Sequence, residues 1–291
     1  MISQSDRIYP FKYLVFEGGG VRGCAYAGAY QALSEYQIHT QIEGICGTSI
    51  GAITALILAL DYSPELVTKI AMDMDFELML DGCWTGIIRL FRHFGWFKGK
   101  KALRYFRKLI ADKGLSPDIT FTEWANTGKP DLRLIGTDMN TVTSTVFSAA
   151  TTPHCSVALA VRMSMSIPYI FASVPYEEMT MVDGGMLRNY PITEFDTEEG
   201  NNLKDTLGFC FSLNTTEVKI QTLFEFIKRL KDVDNAQQYD LLETDPAGKD
   251  RTVFIDPLGI KSTEFDISIS QKKALYNSGY NSTIDFLRKY H

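Results

Sequence analysis

The sequence predicts an α/β fold of three layers, with a mainly parallel sheet between two layers of helices. Two observations in the first 60 residues predict it: apolar runs at Tyr13–Phe16 and Ile42–Cys46, and helical stretches that follow them at about Cys24–Tyr36 and Ala52–Leu60. This strand–helix–strand–helix order is typical of parallel sheets covered by helices on both faces. The length of 291 residues and the apolar content of 45% are sufficient for a large core.

The rest of the chain continues this pattern without an internal repeat or a clear linker. We therefore expect a single domain over residues 1–291, with the motifs discussed below at about 13–191 and a C-terminal strand–helix part at about 205–291. The further predicted elements are helices at Pro64–Leu80, Ser156–Met165, Val218–Leu242 and Ser268–Tyr290, and strands at Leu132–Thr137, Val142–Phe147, Met179–Val182, Leu207–Leu213 and Val253–Ile255.

Composition and charge exclude several classes of function. The net charge of −6 and the pI near 5.3 argue against nucleic acid as a partner. Five cysteines without regular spacing argue against a disulfide framework or a zinc site. The polar start at Met1–Pro10 is not a standard secretory signal, and the longest apolar run, Ile50–Leu60, is too short to span a bilayer. We expect a cytoplasmic protein with at most peripheral membrane contact, while export by a non-classical route stays open.

The segment Gly47-Thr48-Ser49-Ile50-Gly51 lies between the second strand and its helix. A serine between two glycines at such a turn is typical of a nucleophile elbow, in which the serine backbone is strained and the glycines permit close packing. The helix that follows directs its N-terminal N–H groups at the turn. The alternative interpretation is a turn built from small residues for packing alone.

The glycine run Gly18–Gly23 follows the first strand and has two interpretations. It formally satisfies a dinucleotide-binding fingerprint, but that fingerprint requires an acidic residue at the end of the second strand, whereas Glu43 lies at its beginning. The alternative is a loop whose uncovered N–H groups stabilise an oxyanion. Because both this loop and the serine turn follow parallel strands, they lie on the same edge of the sheet, which favours the oxyanion interpretation.

A serine hydroxyl needs a base. None of the four histidines follows a strand in a glycine-punctuated loop: His39, His93, His154 and His291. An aspartate is the remaining candidate, and Asp183 comes at a strand end before Gly184-Gly185. Asp138, at a predicted hairpin turn, is better explained by turn geometry.

The stretch Cys83–Phe97 is unusually aromatic, and basic residues lie within it and follow it up to Lys108. One interpretation is a buried helix followed by a solvated amphipathic one. The other is an amphipathic lid or interfacial surface, with possible lipid or membrane contact through Trp84, Phe91, Phe94, Trp96 and Phe97.

Three motifs in this order, Gly18–Gly23, Gly47–Gly51 and Asp183–Gly185, resemble the patatin-like phospholipase family. Further similarity lies at 136–140, at 158–171 and at Asn189-Tyr190-Pro191, so that the resemblance covers roughly Tyr13 to Pro191. The C-terminal part resembles bacterial-type members of the family with weaker specificity.

The resemblance implies a lipid acyl hydrolase of phospholipase A or lysophospholipase type, which acts on lipid at a membrane or micelle surface through a Ser-Asp dyad. It implies no metal and no cofactor, and an activating protein is a possible partner. Two alternatives stay open: a non-catalytic lipid-binding or regulatory module and a dinucleotide-binding oxidoreductase. The implied roles are nucleophile for Ser49, base for Asp183, oxyanion hole for Gly18, Gly19, Gly20, Val21, Arg22 and Gly23, elbow for Gly47 and Gly51, and base loop for Gly184 and Gly185.

Overall fold

The computed structural model of the chain describes residues 9–81, 86–197, 203–213, 220–222 and 245–290, and seven single positions between 226 and 242. Its strands are β1 Tyr13–Phe16, β2 Gly44–Thr48, β3 Gly95–Phe97, β4 Asp131–Asp138, β5 Thr143–Phe147, β6 Tyr169–Phe171, β7 Val174–Tyr176, β8 Met179–Asp183, β9 Thr206–Phe211 and β10 Thr252–Ile255. Its helices are α1 Cys24–Glu35, α2 Ile50–Ala59, α3 Pro64–Asp73, α4 Phe76–Met79, α5 Gly86–His93, α6 Lys100–Ala111, α7 Phe121–Ala125, α8 Val157–Ser164, α9 Pro246–Asp250 and α10 Ile269–Lys289.

Eight of these strands form one sheet in the order β10–β9–β1–β2–β4–β8–β7, with β5 paired to β4. The five strands from β10 to β4 run parallel, whereas β5, β7 and β8 pair antiparallel. The predicted α/β fold with a mainly parallel sheet is thus confirmed. Strands β9 and β10, from the C-terminal part, extend the same sheet beyond β1. Strands β3 and β6 form a separate parallel pair.

Each face of the sheet has its own apolar core. On β1, Leu14 and Phe16 belong to a large cluster shared with helices α1, α2 and α10. The residue between them, Val15, belongs to a smaller cluster that includes Phe195 and Leu242. Because successive strand residues point to opposite faces, this division shows that the sheet is covered on both sides. Helix α2 is buried along its whole length, which explains why its sequence is apolar all round.

Helices α1 and α10 pack closely enough to bring the C-terminal helix against the segment that follows the glycine run. A Cβ atom on Gly28 would lie 1.9 Å from Tyr276 O, and one on Gly279 would lie 1.9 Å from Ala25 O. Both positions therefore require glycine for the two backbones to approach. The contact fixes α1, and with it the end of the glycine run, to the C-terminal part.

The helix predicted over Pro64–Leu80 is shorter than expected. Helix α3 ends at Asp73, Met74 is extended with φ −63° and ψ 117°, and α4 begins only at Phe76. The cause is tertiary: Lys272 Nζ, on α10, donates to the carbonyl oxygens of residues 72 and 74 at 2.8 and 2.7 Å. Carbonyl groups held by a lysine near a helix end favour its termination there.

One further predicted helix lies in a segment that the structure describes only in part. The helix predicted at 218–242 lies mostly outside the described residues.

In the described part of the chain, no helix combines the length and the apolar character needed to cross a bilayer. Four cysteines there are buried free thiols: Cys24, Cys46, Cys155 and Cys210.

Candidate active site

Ser49 lies in the turn between β2 and α2 and has φ +55° and ψ −118°. Positive φ is unfavourable for a residue with a side chain, so the turn is strained. Two glycines make it sterically possible: a Cβ on Gly47 would lie 2.1 Å from Gly51 O, and one on Gly51 would lie 2.3 Å from Phe16 O. The geometry is that of a nucleophile elbow, with the hydroxyl presented at the edge of the sheet.

Asp183 reaches Ser49 across strand β4. Thr48 pairs with Ile135 on β4, so Ser49 is level with Gly136, and Gly136 pairs with Asp183 on β8. Two strand spacings place the two backbones roughly 10 Å apart, and the side chains bridge this gap. Ser49 Oγ donates to Asp183 Oδ2 at 2.7 Å.

The Asp183 carboxylate is buried and held in one orientation. Its side chain is 0% exposed, and its other oxygen, Oδ1, accepts a hydrogen bond from Gly185 N at 2.8 Å. The backbone N–H of Asp183 donates to Ser166 O at 2.9 Å. Oδ2 therefore faces the Ser49 hydroxyl while Oδ1 is occupied by the base loop. A carboxylate in this position is able to accept the hydroxyl proton.

The glycine run lies beside the serine, as expected for two loops on one sheet edge. A Cβ on Gly18 would lie 3.3 Å from Ser49 Cβ. Gly20 has φ +56°, and a Cβ there would lie 1.8 Å from Ser262 O, so only glycine fits. The residues Gly20–Gly23 form a short 3₁₀ helix that leads into α1.

The N–H groups of the five residues from Gly18 to Arg22 differ in what they contact. Gly18 N donates to Asn189 O at 3.0 Å, Val21 N to Ser262 O at 3.1 Å, and Arg22 N to Gly19 O at 3.2 Å. These three groups are therefore occupied within the protein. Gly19 N and Gly20 N have no acceptor among the described residues and are left as the donors that could meet an oxyanion.

Arg22 supports the run from outside. Its Nε donates to Ile260 O at 2.8 Å, and its guanidinium lies 5.6 Å from the centroid of the Phe211 ring. Asp138 likewise has a structural role: its Oδ1 accepts from Asn140 N and Thr180 N, both at 3.0 Å. Desolvation raises the pKa of Asp138, but hydrogen bonds from the Thr141 hydroxyl, at 2.6 Å, and from these two N–H groups lower it overall and hold the turn after β4.

The roles of three polar residues around the elbow were not expected from the sequence: Ser164, Asn189 and Glu17. Ser164 Oγ, at the end of α8, accepts a hydrogen bond from Ser49 N at 2.9 Å. Asn189 Nδ2 donates to Glu17 Oε1 at 2.9 Å and to Gly18 O at 3.2 Å. The only sequence signal for them was the position of Asn189 in a segment already noted for its family resemblance.

The aromatic stretch is divided between surface and interior. Phe91, Phe94 and Trp96 are 79%, 58% and 39% exposed. Phe97, in contrast, is partly buried, with its ring centroid 6.3 Å from that of Phe171. Trp84 lies outside the described residues.

An apolar crevice begins beside the elbow and runs between α1, α2 and α3. Ile50, Ile53 and Ile57 of α2 form one wall, and Val67 and Met74 lie opposite. The cavity within it measures about 30 Å³, which is room for about two water molecules. Because Ile50 follows Ser49 directly, the crevice adjoins the serine turn.

Residues 14–196 match the sequence profile of the patatin-like phospholipase family. The chain is 29% identical over 281 residues to protein R571 of Acanthamoeba polyphaga mimivirus, covering 93% of this chain and 92% of that protein. It is 28% identical over 185 residues to the probable lipid hydrolase 463L of Invertebrate iridescent virus 6, covering 62% of each.

Two solved structures share the fold. VipD from Legionella pneumophila superposes with a TM-score of 0.67 at 18% identity, covering 97% of this chain and 67% of VipD. ExoU of Pseudomonas aeruginosa, solved in complex with SpcU, superposes with a TM-score of 0.52 at 21% identity, covering 96% of this chain and 53% of ExoU. The chain thus spans about half the length of ExoU, and identities this low show a common fold alone. The profile match over most of the chain shows more: the chain belongs to the patatin-like phospholipase family.

Proposed function

We propose that the chain is a lipid acyl hydrolase of phospholipase A or lysophospholipase type, which cleaves acyl esters through Ser49 and Asp183. Family membership supports a lipid ester hydrolase in general. The observation that carries the finer proposal is the 2.7 Å hydrogen bond from Ser49 Oγ to Asp183 Oδ2, made by a serine in a strained turn. A hydroxyl bonded to a buried carboxylate has both the geometry and the base that nucleophilic catalysis requires.

In the first half-reaction, Ser49 Oγ attacks the ester carbonyl carbon while Asp183 Oδ2 accepts the hydroxyl proton. The N–H groups of Gly19 and Gly20 donate to the negative charge that develops on the carbonyl oxygen. The carbon–oxygen bond to the leaving alcohol or lysolipid then breaks, and the leaving oxygen takes the proton from Asp183. The acyl group remains on Ser49.

In the second half-reaction, water attacks the acyl-serine and gives a proton to Asp183. The tetrahedral intermediate releases the fatty acid, and Ser49 Oγ regains the proton from Asp183. This sequence balances without a metal ion or cofactor, because the carboxylate moves the proton and the backbone stabilises the charge.

The acyl chain is proposed to enter along the apolar crevice beside α2, whose walls must move apart to admit it because the cavity measures only about 30 Å³. Ile50, Ile53 and Ile57 lie one or two turns apart on one face of the helix, so the wall they form extends roughly 10 Å from the elbow. Burial of a methylene stabilises by about 0.8 kcal/mol, so an apolar crevice favours substrates with long acyl chains. The lipid head group then stays on the solvent side of Ser49.

The exposed aromatic residues Phe91, Phe94 and Trp96 form the proposed contact with a membrane or micelle surface. Exposed cationic side chains accompany them, among them Arg92 and Lys98. Aromatic rings next to lysine and arginine are suited to the interface of an anionic lipid surface. A cytoplasmic location with peripheral membrane contact and control by an activating protein stay parts of this proposal; the complex of ExoU with SpcU offers a precedent for a protein partner of this fold.

The test is hydrolysis of a short p-nitrophenyl acyl ester, and of phospholipid in vesicles, by wild type, Ser49→Ala and Asp183→Asn. We expect each variant to lose at least about 10³-fold in kcat, as in other serine hydrolases. Asp131→Asn, at the opposite end of β4, is the matched control and should keep its activity. Near-wild-type activity in either variant of the pair would show that the assignment is wrong.

The same samples separate the two alternatives. A wild-type chain that binds vesicles but hydrolyses neither substrate would support the non-catalytic lipid-binding module. Tight binding of NAD(P)H, followed by its fluorescence, would support the dinucleotide-binding oxidoreductase. Family membership leads us to expect neither result.

A further inference from the structure

The glycine run is joined to the loop after Asp183 through the backbone and the side chain of Asn189. Gly18 N donates to Asn189 O at 3.0 Å, and Asn189 Nδ2 donates back to Gly18 O at 3.2 Å. The same Nδ2 donates to Glu17 Oε1 at 2.9 Å. Asn189 therefore bonds both residues that immediately precede Gly19 and Gly20, the proposed oxyanion donors.

Both partners in this contact are anchored to the rest of the fold. Glu17 Oε2 accepts a hydrogen bond from Phe211 N on β9 at 2.7 Å, and Glu17 O accepts one from the Tyr26 hydroxyl at 2.7 Å. Asn189 N donates to Gln238 Oε1 at 2.5 Å. The contact thus joins two loops, and each loop is also hydrogen-bonded to another part of the fold. A shift of either loop would break at least one of these bonds.

The orientation of the Asn189 amide has a cost that packing alone does not explain. Asn189 is 1% exposed, and its Oδ1 has no hydrogen-bond partner among the residues that the structure describes. A Cβ on Gly18 or on Gly185 would lie 2.3 or 2.5 Å from this oxygen, so it is wedged between the glycine run and the base loop. A buried acceptor without a partner is energetically unfavourable. Glu17 and the Gly18 carbonyl both need a donor, and this need fixes the amide with its nitrogen toward them.

We propose that Glu17 and Asn189 are positioning residues that hold Gly19 and Gly20 at the oxyanion of the reaction proposed above. The inference rests on that proposed function. Oxyanion donors act through preorganisation, since they must lie within about 2.7–3.1 Å of the charged oxygen before the charge develops. Because Gly18 is bonded to the segment that follows Asp183, the donors on Gly19 and Gly20 keep a fixed position relative to the base.

The charge on Glu17 sets the strength of the contact. Burial raises the pKa of Glu17 to about 7, against the opposing effects of the Phe211 N–H, Cys210, Arg22 and Asn189. The other titratable groups that act on it from the surrounding elements are Tyr26 and Tyr190. An ionised carboxylate accepts from both Asn189 and Phe211, and such charge-assisted bonds are about twice as strong as neutral ones. Protonation of Glu17 weakens both bonds, so the oxyanion donors should be best positioned above the pKa.

The experiment measures kcat and KM for p-nitrophenyl butyrate between pH 5 and 9 in wild type, Glu17→Gln and Asn189→Ala. Loss of one oxyanion donor costs about 10²–10³ in kcat in other hydrolases, and we expect losses of up to this size with KM changed less than threefold. Wild type should show a rise in kcat centred between about pH 6 and 8, and Glu17→Gln should lack that rise. Glu43→Gln, an exposed carboxylate at the start of β2, is the matched control.

Thermal unfolding of each variant separates a positioning role from a structural one. If Asn189→Ala does not fold, the isosteric Glu17→Gln variant carries the test, and the wild-type pH profile stands by itself. Folded variants with kcat within threefold of wild type, or a wild-type kcat that does not change between pH 6 and 8, would overturn the proposal. If wild type hydrolyses no ester, or if Ser49→Ala stays active, the proposed function itself is wrong, and the inference that rests on it is wrong as well.

Discussion

Arg162 offers the sharpest test of how the aromatic surface is joined to the rest of the fold. The side chain lies on α8 and is 3% exposed. Its Nε donates to Gly99 O at 3.2 Å, and its Nη2 donates to Lys98 O and Ala172 O at 3.0 and 3.1 Å. Its Nη1 contacts the Ser166 hydroxyl. One guanidinium therefore connects α8 to the segments that follow β3 and β6.

We predict that Arg162→Met lowers the free energy of unfolding by about 2 kcal/mol. The substitution removes the Arg162 donor from the buried Ala172 O, and a buried acceptor without a donor costs about 1–3 kcal/mol. Gly99 O loses one of two donors and keeps the hydrogen bond from Leu103 N at 3.1 Å. Lys98 is exposed, so water is able to replace its bond. The loss is partly offset because Met packs on the Phe171 ring and no longer requires a buried charge. Burial lowers the pKa of Arg162 to about 10 while Asp81 opposes the effect, so the charge is present at neutral pH.

The assay is urea unfolding at pH 7, with Arg104→Met, on the exposed face of α6, as the matched control. Hydrogen exchange of residues 95–100 gives the local readout, and we expect it to accelerate more than exchange in β1 or β2. A loss below about 1 kcal/mol, equal to that of the control, or unchanged exchange at 95–100 would refute this account of Arg162.

Three further predictions follow from the same structure. Replacement of Ile57 by Phe, at the far end of the apolar crevice, should reduce kcat/KM for long-chain p-nitrophenyl esters by about fourfold for each methylene excluded, with hydrolysis of the acetyl ester unchanged. Phe94→Ser should reduce co-sedimentation with anionic vesicles, whereas Ile269→Ser, which changes an equally exposed apolar residue outside the aromatic surface, should not. Because the pKa of Glu17 is raised from 4.5 to about 7, its protonated form favours folding. The free energy of unfolding should therefore fall between pH 5 and 8, by at most about 3 kcal/mol and by less where solvent screens the charge, and urea unfolding of Glu17→Gln should lack this dependence.

The sequence predicted the parts of the site that depend on local order along the chain. A serine between glycines after an apolar run indicates an elbow because the strand, the turn and the helix are contiguous in the sequence. Asp183 was predicted as the base because it ends an apolar run and precedes two glycines. The structure brings Ser49 and Asp183 to 2.7 Å, but their catalytic roles stay predictions.

The parts that the sequence did not predict depend on contacts between distant segments. Val21 N is occupied by Ser262 O, so only part of the glycine run is left for an oxyanion. Helix α3 ends at Asp73 because Lys272 reaches it from α10. Ser164 meets the elbow only because α8 packs beside it. Contacts of this kind join residues far apart in the sequence and do not recur at a regular spacing, so no sequence pattern predicts them.

The strained turn at Ser49 is maintained by its surroundings rather than by its own sequence. A positive φ at a residue with a side chain costs on the order of 1–3 kcal/mol and persists only where neighbouring contacts determine it. Here Ser49 N is held by Ser164, and Ser49 O accepts from the N–H groups of residues 52 and 53. The fully buried α2 also presses Gly51 against the end of β1. Because the same packing directs the hydroxyl at Asp183, the core that stabilises the fold also sets the geometry of the proposed nucleophile.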